Sequence, residues 1–155
     1  MLTIGITGQT GCGKTALLRR IEARGGCGVD CDALYYDLLR TDHVRRAVET
    51  IRAEKKACGC ALFAVDAINL IQSGLASLCD VTVGVTAPQE VRLARIMARD
   101  GIERQYALLR IRAQEPEGYF RTHCTYILEN GEISQEEFQI QAEALLDKII
   151  KENAK

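Results

Sequence analysis

The sequence lacks an excess of charge of either sign, since its 155 residues carry 20 lysines and arginines against 21 aspartates and glutamates. A surface that binds nucleic acid or an anionic membrane is usually strongly basic, so this balance disfavours such partners and makes any phosphate recognition local. No apolar run reaches the roughly 20 residues that a bilayer-spanning helix needs, and a predicted strand begins at Leu2, which leaves no room for a signal peptide. We therefore expect a cytoplasmic protein.

Internal repeats, linkers and low-complexity tracts are lacking as well. A chain of 155 residues can bury one sizeable hydrophobic core, whereas two independent domains would both be small. We therefore expect a single domain over residues 1–155.

A glycine-rich segment follows the first apolar run and reads Gly8-Gln9-Thr10-Gly11-Cys12-Gly13-Lys14-Thr15. It is a complete G-x-x-x-x-G-K-[ST] phosphate-binding loop, placed between a predicted strand and a predicted helix as such a loop requires. Glycines let backbone N–H groups approach a polyphosphate, Lys14 reaches the β- and γ-phosphates, and the Thr15 hydroxyl reaches Mg²⁺. A chance glycine-rich turn is the alternative, which the flanking elements disfavour. The sequence therefore predicts binding of a nucleoside triphosphate.

Cysteine is frequent, with seven residues. An odd number without a secretion signal favours reduced thiols in a reducing compartment over a disulfide framework. Cys58 and Cys60 are the only close pair, and their one-residue spacing differs from that of most zinc and redox motifs, so a metal site is disfavoured. Most of the cysteines are expected to be small buried hydrophobic residues. Cys12 is the exception, because the pKa of a thiol tends to fall near a helix N-terminus.

Short apolar stretches alternate with amphipathic ones along the chain, which is typical of βαβ folds. The predicted strands are Leu2 to Thr7, Gly28 to Asp30, Ala61 to Asp66, Asp80 to Thr86 and Thr125 to Leu128. The predicted helices are Lys14 to Arg24, Ala33 to Leu39, Val44 to Lys56, Gln89 to Arg99, Glu103 to Gln114 and Ser134 to Lys151, the last opening with a Ser134/Glu137 capping box. We therefore expect a three-layer α/β/α P-loop NTPase fold with a five-stranded parallel sheet and the ligand at the carboxyl ends of its strands.

Acidic residues stand where two predicted strands end. Asp66 closes the third strand, where a carboxylate can bind Mg²⁺ directly or through water, although a cap after the strand is the alternative. Asp30 and Asp32 follow the second strand, and a carboxylate there faces the phosphate loop and can accept the proton of an acceptor hydroxyl during phosphoryl transfer. Asp32 also precedes a predicted helix, so an N-cap role competes with the catalytic one, and one residue can do both.

Arginines crowd the interval between the fourth strand and Gln114. Three of them, Arg92, Arg95 and Arg99, share one face of the predicted helix, and this face can turn toward the nucleotide. For any single arginine the alternative is a solvated or ion-paired face. The run Arg99-Asp100-Gly101 favours a mobile lid, because a glycine ends one arginine-rich helix just before a second begins. Such a lid closes guanidinium groups over a transferring phosphoryl group.

Seven segments carry a more specific resemblance. They are Ile4 to Thr15, Val29 to Ala33, Gln72 to Leu75, Cys79 to Val83, Arg95 to Gly101, Arg110 to Gln114 and Tyr126 to Gly131. In order and spacing they resemble the dephospho-CoA kinase family. The resemblance implies a nucleoside monophosphate kinase-like fold, ATP with Mg²⁺, a catalytic aspartate at Asp32, and lid arginines at Arg99 and Arg110 within residues 99–123. The predicted nucleotide-binding residues are those of the loop, from Gly8 to Thr15, together with Asn130.

The chain departs from that family where the acceptor binds. Family members carry an extended helical segment between the Asp-x-Asp turn and the third strand, whereas here Asp32 to Asp66 leaves room for little beyond a short helix and residues 44–56. We therefore interpret residues 32–60 as a reduced acceptor segment. The family's Pro-Leu-Leu-Phe-Glu run reads Ile68-Asn69-Leu70-Ile71-Gln72, and a family lysine corresponds to Phe120.

The sequence thus predicts an ATP-dependent phosphotransferase that acts on the ribose 3'-hydroxyl of dephospho-CoA or on a smaller hydroxyl acceptor. The predicted catalytic residues are Lys14, Asp32, Arg99 and Arg110, and the predicted Mg²⁺ ligands are Thr15 and Asp66. The alternative is an ATP-binding regulatory module that has lost phosphotransfer. The intact Asp32 favours the enzyme, and the altered acceptor elements favour the module.

Overall fold

The computed structural model describes residues 1–31 and 43–154. Its strands are β1 Leu2–Gly8, β2 Cys27–Asp30, β3 Leu62–Asp66, β4 Val81–Thr86 and β5 Tyr126–Glu129. They form one sheet in the order β2-β3-β1-β4-β5, and every neighbouring pair is parallel. The prediction of a five-stranded parallel sheet is confirmed.

Helices occupy the connections between the strands. They are α1 Lys14–Ala23, α2 His43–Cys58, α3 Gln89–Asp100, α4 Arg104–Arg112, α5 Glu117–His123 and α6 Gln135–Asn153, with a 3₁₀ turn at Leu75–Leu78. The short helix α5 was not predicted from the sequence, and the predicted helix at residues 33–39 lies outside the described residues. The capping box of α6 is confirmed, because Glu137 N–H donates to the Ser134 hydroxyl and Ser134 N–H donates to the Glu137 carboxylate.

The two faces of the sheet are covered by different helices. Along β3, Leu62 and Ala64 join the core cluster of α1 and α6, whereas Phe63 and Val65 join the cluster of α2. This alternation follows from the two-residue period of a strand. Helices therefore cover both faces of the sheet, which gives the predicted three α/β/α layers. Within the two described stretches, no helix combines the length and apolar character that a membrane crossing needs.

The middle of the sheet positions the glycine-rich loop. β1 lies between β3 and β4, with Ile4 level with both Ala64 and Val81. The chain passes from β3 to β4 across β1, and in open α/β sheets ligands bind in the crevice where the strand order reverses in this way. Asp30 and Asp66 are register partners at the ends of β2 and β3, so they lie at the same edge of the sheet as the loop.

A small separate cluster holds α3 against α4. Leu93 and Ile96 of α3 pack there against Ala107 and Ile111 of α4. Gly101 ends α3 with a φ of 63°, and its N–H donates to the carbonyl oxygen of Met97. A left-handed residue is the usual stop of a helix, and glycine adopts it without strain. The predicted lid is therefore a helical hairpin with its own hydrophobic contact.

One pair of cysteines contradicts the expectation of reduced thiols. Cys27 begins β2 and is disulfide-bonded to Cys60, which shortly precedes β3, with the two Cα atoms 6.5 Å apart. Strands β2 and β3 are parallel neighbours, so their first residues lie side by side although they are far apart in sequence. The other cysteines are thiols. Cys31 is buried as expected, Cys12 is buried although it was the expected exception, and Cys58, Cys79 and Cys124 are half-buried.

Candidate active site

The glycine-rich loop joins β1 to α1 as predicted. Gly8, Gly11 and Gly13 have φ values of 143°, 79° and 100°, a region that side chains with a Cβ avoid. At Gly13 the space is also missing, because a Cβ would lie 2.2 Å from Nδ2 of Asn130. The Lys14 ammonium donates across the loop to the carbonyl oxygen of Gly8 at 3.3 Å. The backbone therefore has the curled conformation that a polyphosphate-binding loop needs.

A cleft of about 1220 Å³ opens beside this loop at the carboxyl ends of the strands. It brings together most of the residues that the sequence singled out, from three parts of the chain. The lining residues include Thr10, Gly11, Gly13, Lys14 and Thr15 of the loop, Asp30 and Asp66 of the strand ends, and Arg95, Arg99, Asp100, Arg110 and Gln114 of the lid region.

The acidic side of the cleft is formed by Asp66 and Asp30. Asp66 is buried, with 2% of its surface exposed, whereas Asp30 is exposed. The predicted base Asp32 lies outside the described residues, and its role stays a prediction. Thr15 and Asp66 offer a hydroxyl and a carboxylate to the same cleft, and oxygen atoms of these kinds are the ligands that Mg²⁺ prefers.

Asp100 holds both predicted lid arginines. It accepts hydrogen bonds from Nε of Arg99 at 2.7 Å and from Nη1 of Arg110 at 2.6 Å. The hydrogen bond from Arg99 lowers the pKa of the Asp100 carboxyl below its ordinary value, and the charges of Arg99 and Arg110 add to this. Both arginine side chains are more than half exposed, so these ion pairs are screened by solvent and easily exchanged. The pairing keeps two guanidinium groups at the cleft without fixing them there.

Arg92 has a different role from the lid arginine Arg99, although the sequence places both on one face of α3. Its side chain is buried and donates to the carbonyl oxygen of Thr10 at 3.1 Å, to Oε1 of Gln9 at 2.6 Å and to Oε1 of Gln114 at 3.3 Å. Burial lowers the pKa of Arg92 from its ordinary value, but a guanidinium stays protonated in proteins. Arg92 therefore supports the loop from below. The shared face was visible in the sequence, but this supporting role was not.

Gln114 ties the region after α4 to the loop. Its Nε2 donates to the hydroxyl of Thr10 at 2.5 Å, while its Oε1 accepts from the Thr10 N–H at 3.0 Å. Close by, Gln9 Nε2 donates to the carbonyl oxygen of Glu115 at 2.7 Å. In the sequence, Gln114 was only the last residue of one of the segments that carry the family resemblance, and no role was predicted for it. The structure makes it a link between the loop and the lid.

Arg95 and Asn130 support the other side of the loop. Arg95 donates to the carbonyl oxygen of Gly11 and to Oδ1 of Asn130, each at 3.2 Å. Asn130 in turn donates from Nδ2 to the carbonyl oxygen of Cys12 at 2.9 Å. Asn130 is buried behind the loop, as are Gly8, Gln9 and Cys12. For these four residues, direct contact with a nucleotide stays a prediction.

The expectation of a reactive Cys12 thiol is wrong. The side chain is fully buried in the core cluster of α1 and α6, and burial raises the pKa of the Cys12 thiol above its ordinary value. The charges of Lys14 and Arg92 oppose this shift but do not reverse it. Proximity to the helix N-terminus was the right observation, but the thiol points into the protein rather than toward the cleft.

Comparison with known proteins decides the family. A family model described as dephospho-CoA kinase matches residues 43–135, which is more than half of the chain. The chain belongs to the dephospho-CoA kinase family. Dephospho-CoA kinase from Porphyromonas gingivalis is 29% identical in an alignment that covers 76% of this chain and 79% of the relative. Dephospho-CoA kinase from Thermus thermophilus is 28% identical in an alignment that covers 83% of each chain.

Solved structures, among them one dephospho-CoA kinase and one shikimate kinase, have the same fold. The structure of TT1252 from Thermus thermophilus matches with a TM-score of 0.76 at 26% identity, covering 95% of this chain and 97% of that one. Dephospho-CoA kinase from Campylobacter jejuni matches with a TM-score of 0.65 at 16% identity, covering 97% of this chain and 98% of that one. Shikimate kinase from Acinetobacter baumannii matches with a TM-score of 0.68 at 17% identity, covering 100% of this chain and 96% of that one. The last two show the fold alone, and it is the predicted P-loop kinase fold.

Proposed function

We propose that this chain transfers the γ-phosphoryl group of ATP to a hydroxyl of a small molecule, with dephospho-CoA as the acceptor that its family favours. One observation carries the proposal: the phosphate-binding loop, a buried strand-end carboxylate and two lid arginines line a single cleft. Phosphoryl transfer depends mainly on positioning and on neutralising charge, and these residue types supply both. The relatives that carry an activity in their names are kinases, which favours the enzyme over a regulatory binding module.

The donor side of the cleft would hold ATP through the loop. The backbone N–H groups from Gly13 to Thr15 would bind the phosphates, with the positive end of the α1 dipole behind them. Lys14 exchanges the Gly8 carbonyl for the β- and γ-phosphates. Thr15 and Asp66 would hold Mg²⁺, which when bound neutralises charge on the β- and γ-phosphate oxygens.

The acceptor side would supply the base. Asp32 accepts the proton of the acceptor hydroxyl, as the family resemblance implies, while the γ-phosphoryl group is transferred. Asp30 is the second candidate, because it is exposed and lines the cleft. Arg99 and Arg110 exchange Asp100 for the transferring phosphoryl group and neutralise its charge. We also propose a cytoplasmic location, where ATP is plentiful.

A kinase assay tests this function. ADP release is measured with Mg-ATP and dephospho-CoA, or with each of a panel of small hydroxyl compounds, and the phosphorylated product is identified by mass. We expect acceptor-dependent ADP release that a Lys14→Ala variant lacks. Release that does not exceed the Lys14→Ala level with any acceptor, from protein that still binds ATP, would favour the regulatory module instead.

A further inference from the structure

Three cysteines converge at the end of the sheet opposite the phosphate loop. The sulfur atoms of Cys27, Cys58 and Cys60 all lie within 4.8 Å of one another, and each residue is half-buried. We propose that, in the reduced protein, these three thiolates bind a thiophilic divalent ion of the zinc type. We call the three residues the sulfur cluster. It shares no residue with the kinase cleft, so the proposal is independent of the function proposed above.

The sulfur cluster is built from one strand, one helix and the link between that helix and the next strand. Cys27 is the first residue of β2, Cys58 is the last residue of α2, and Cys60 shortly precedes β3. Between the last two, Gly59 has a φ of 59°, which turns the chain so that both neighbours face the same space. Such a turn favours glycine. The Cys27 sulfur belongs to a strand rather than to a loop. Hydrogen bonds between β2 and β3 hold that strand in place beside the other two cysteines.

The backbone around Cys58 suits a charged sulfur. The N–H of Cys60 donates to Sγ of Cys58 at 3.3 Å. Outer hydrogen bonds of this kind orient a metal ligand and stabilise its negative charge. Cys58 takes no part in the disulfide, so the pairing of Cys27 with Cys60 does not explain why a third sulfur lies within reach. Three convergent thiolates do fit a zinc-type ion, which accepts sulfur ligands and leaves a fourth position for water.

The disulfide and the metal site are alternative states of the same sulfurs. A cellular dithiol reduces the Cys27–Cys60 bond by supplying two electrons and two protons, and is itself converted to a disulfide. The divalent ion then displaces one proton from each of the three thiols and forms three metal–sulfur bonds, which leaves a net charge of −1 at the site. In the reverse direction a cellular disulfide takes two electrons from the Cys27 and Cys60 thiolates and two protons from solvent and becomes a dithiol. The Cys27–Cys60 bond forms again, the ion is released, and the Cys58 thiolate takes up one proton.

Cobalt titration of the full chain tests the proposal. The protein is reduced with a phosphine, freed of metal by chelation and titrated with Co²⁺ in excess Mg²⁺, which occupies the kinase cleft. We expect a thiolate-to-cobalt charge-transfer band that saturates at one ion per chain and disappears when Zn²⁺ is added. A Cys58→Ser variant should bind at least about tenfold more weakly, since even the loss of an outer-shell partner costs that much.

Cys124→Ser is the matched control, because Cys124 is also half-buried but lies outside the sulfur cluster. Its band and affinity should equal those of the wild type. Circular dichroism establishes that each variant is folded, and Cys58→Ser keeps both sulfurs of the disulfide. A reduced, folded wild type without the band would overturn the proposal. So would an unchanged affinity in Cys58→Ser, or an equal loss in Cys124→Ser.

Discussion

The Arg92 guanidinium donates to Oε1 of Gln9 at 2.6 Å, beneath the phosphate loop. The same side chain reaches the Thr10 carbonyl and Gln114, so one buried cation joins the loop to the segment that follows α4. Preorganised loops of this kind need little rearrangement when a polyphosphate arrives. The geometry of the donor site therefore depends on a residue that does not line the cleft.

Replacing Arg92 should destabilise the fold as well as the loop. Arg92→Met leaves the Gln9 oxygen and the Thr10 carbonyl without their donor, and a buried acceptor left unpaired costs about 1–3 kcal/mol. Urea unfolding measures the loss as a lower midpoint at an unchanged slope. The control Arg104→Met removes an exposed ion pair with Glu90 and should change stability by less than about 1 kcal/mol. Equal midpoints for the two variants would contradict the supporting role of Arg92.

Lys14→Ala should abolish stabilisation by nucleotide, because the ammonium and its phosphate contacts are lost together. The wild type at 100 Kd of Mg-ATP should gain on the order of 2.7 kcal/mol. Thermal unfolding with and without Mg-ATP measures the gain, and the exposed Lys151→Ala serves as the matched control. If Lys14→Ala shifts as much as the wild type, the loop does not bind the phosphates in the proposed way.

Variants of Asp30, which ends β2, and of Asp32, two residues later in the sequence, test which aspartate is the base. Asp32→Asn should leave ATP affinity nearly unchanged while turnover falls by about 10² to 10⁴, the usual contribution of a positioned acid or base. Asp30→Asn is the matched variant, and we expect it to retain most of the turnover. Steady-state kinetics with both variants decides the assignment. The reverse pattern would assign the base to Asp30. Full turnover in both variants would mean that neither aspartate is the base.

Cys12 should resist alkylation in the native protein. The reactive species is the thiolate, and burial holds the pKa of Cys12 above its ordinary value of 9.0, so the thiol stays protonated at neutral pH. The pKa of Cys12 is higher in the folded protein than in the unfolded chain. The contribution of this thiol to the free energy of unfolding is therefore complete below the unfolded pKa and is lost as the pH rises through the folded pKa. Peptide mass spectrometry after brief iodoacetamide treatment should find Cys12 labelled in denaturant and unlabelled in buffer. Rapid labelling of native Cys12 would mean that the loop opens readily.

The reduced acceptor segment should weaken the use of dephospho-CoA. Binding energy from the remote pantetheine part normally orients the reacting hydroxyl, and few residues separate Asp32 from Asp66 to supply it. When dephospho-CoA is titrated at saturating Mg-ATP, we expect a higher KM and a lower kcat than in family members that carry the extended segment, unless a second subunit completes the site. Light scattering on the same sample gives the oligomeric state. Tight saturation by a monomer would mean that the short segment suffices.

The sequence predicted the features that depend on neighbours along the chain. The strands, the Gly8 to Thr15 loop and the capping box at Ser134 follow from local spacing, and the structure confirms them. The contacts that it did not predict join distant residues. Asn130 meets Cys12 across 118 positions, and Cys27 meets Cys60 only because β2 and β3 are neighbours in the sheet. Spacing contains no information about such pairs until the order of the strands is known.

The place of β1 in the sheet has a consequence for how the molecule opens. β1 has a hydrogen-bonded partner on each side, whereas β2 is an edge strand with β3 as its single neighbour among the described strands. Backbone amides of β1 should therefore exchange with solvent only when the sheet comes apart, while those of β2 exchange through smaller local openings. In the proposed binding mode, ATP would therefore be anchored on the strand that opens last, whereas the acceptor would lie beside the edge strand β2, which opens more easily.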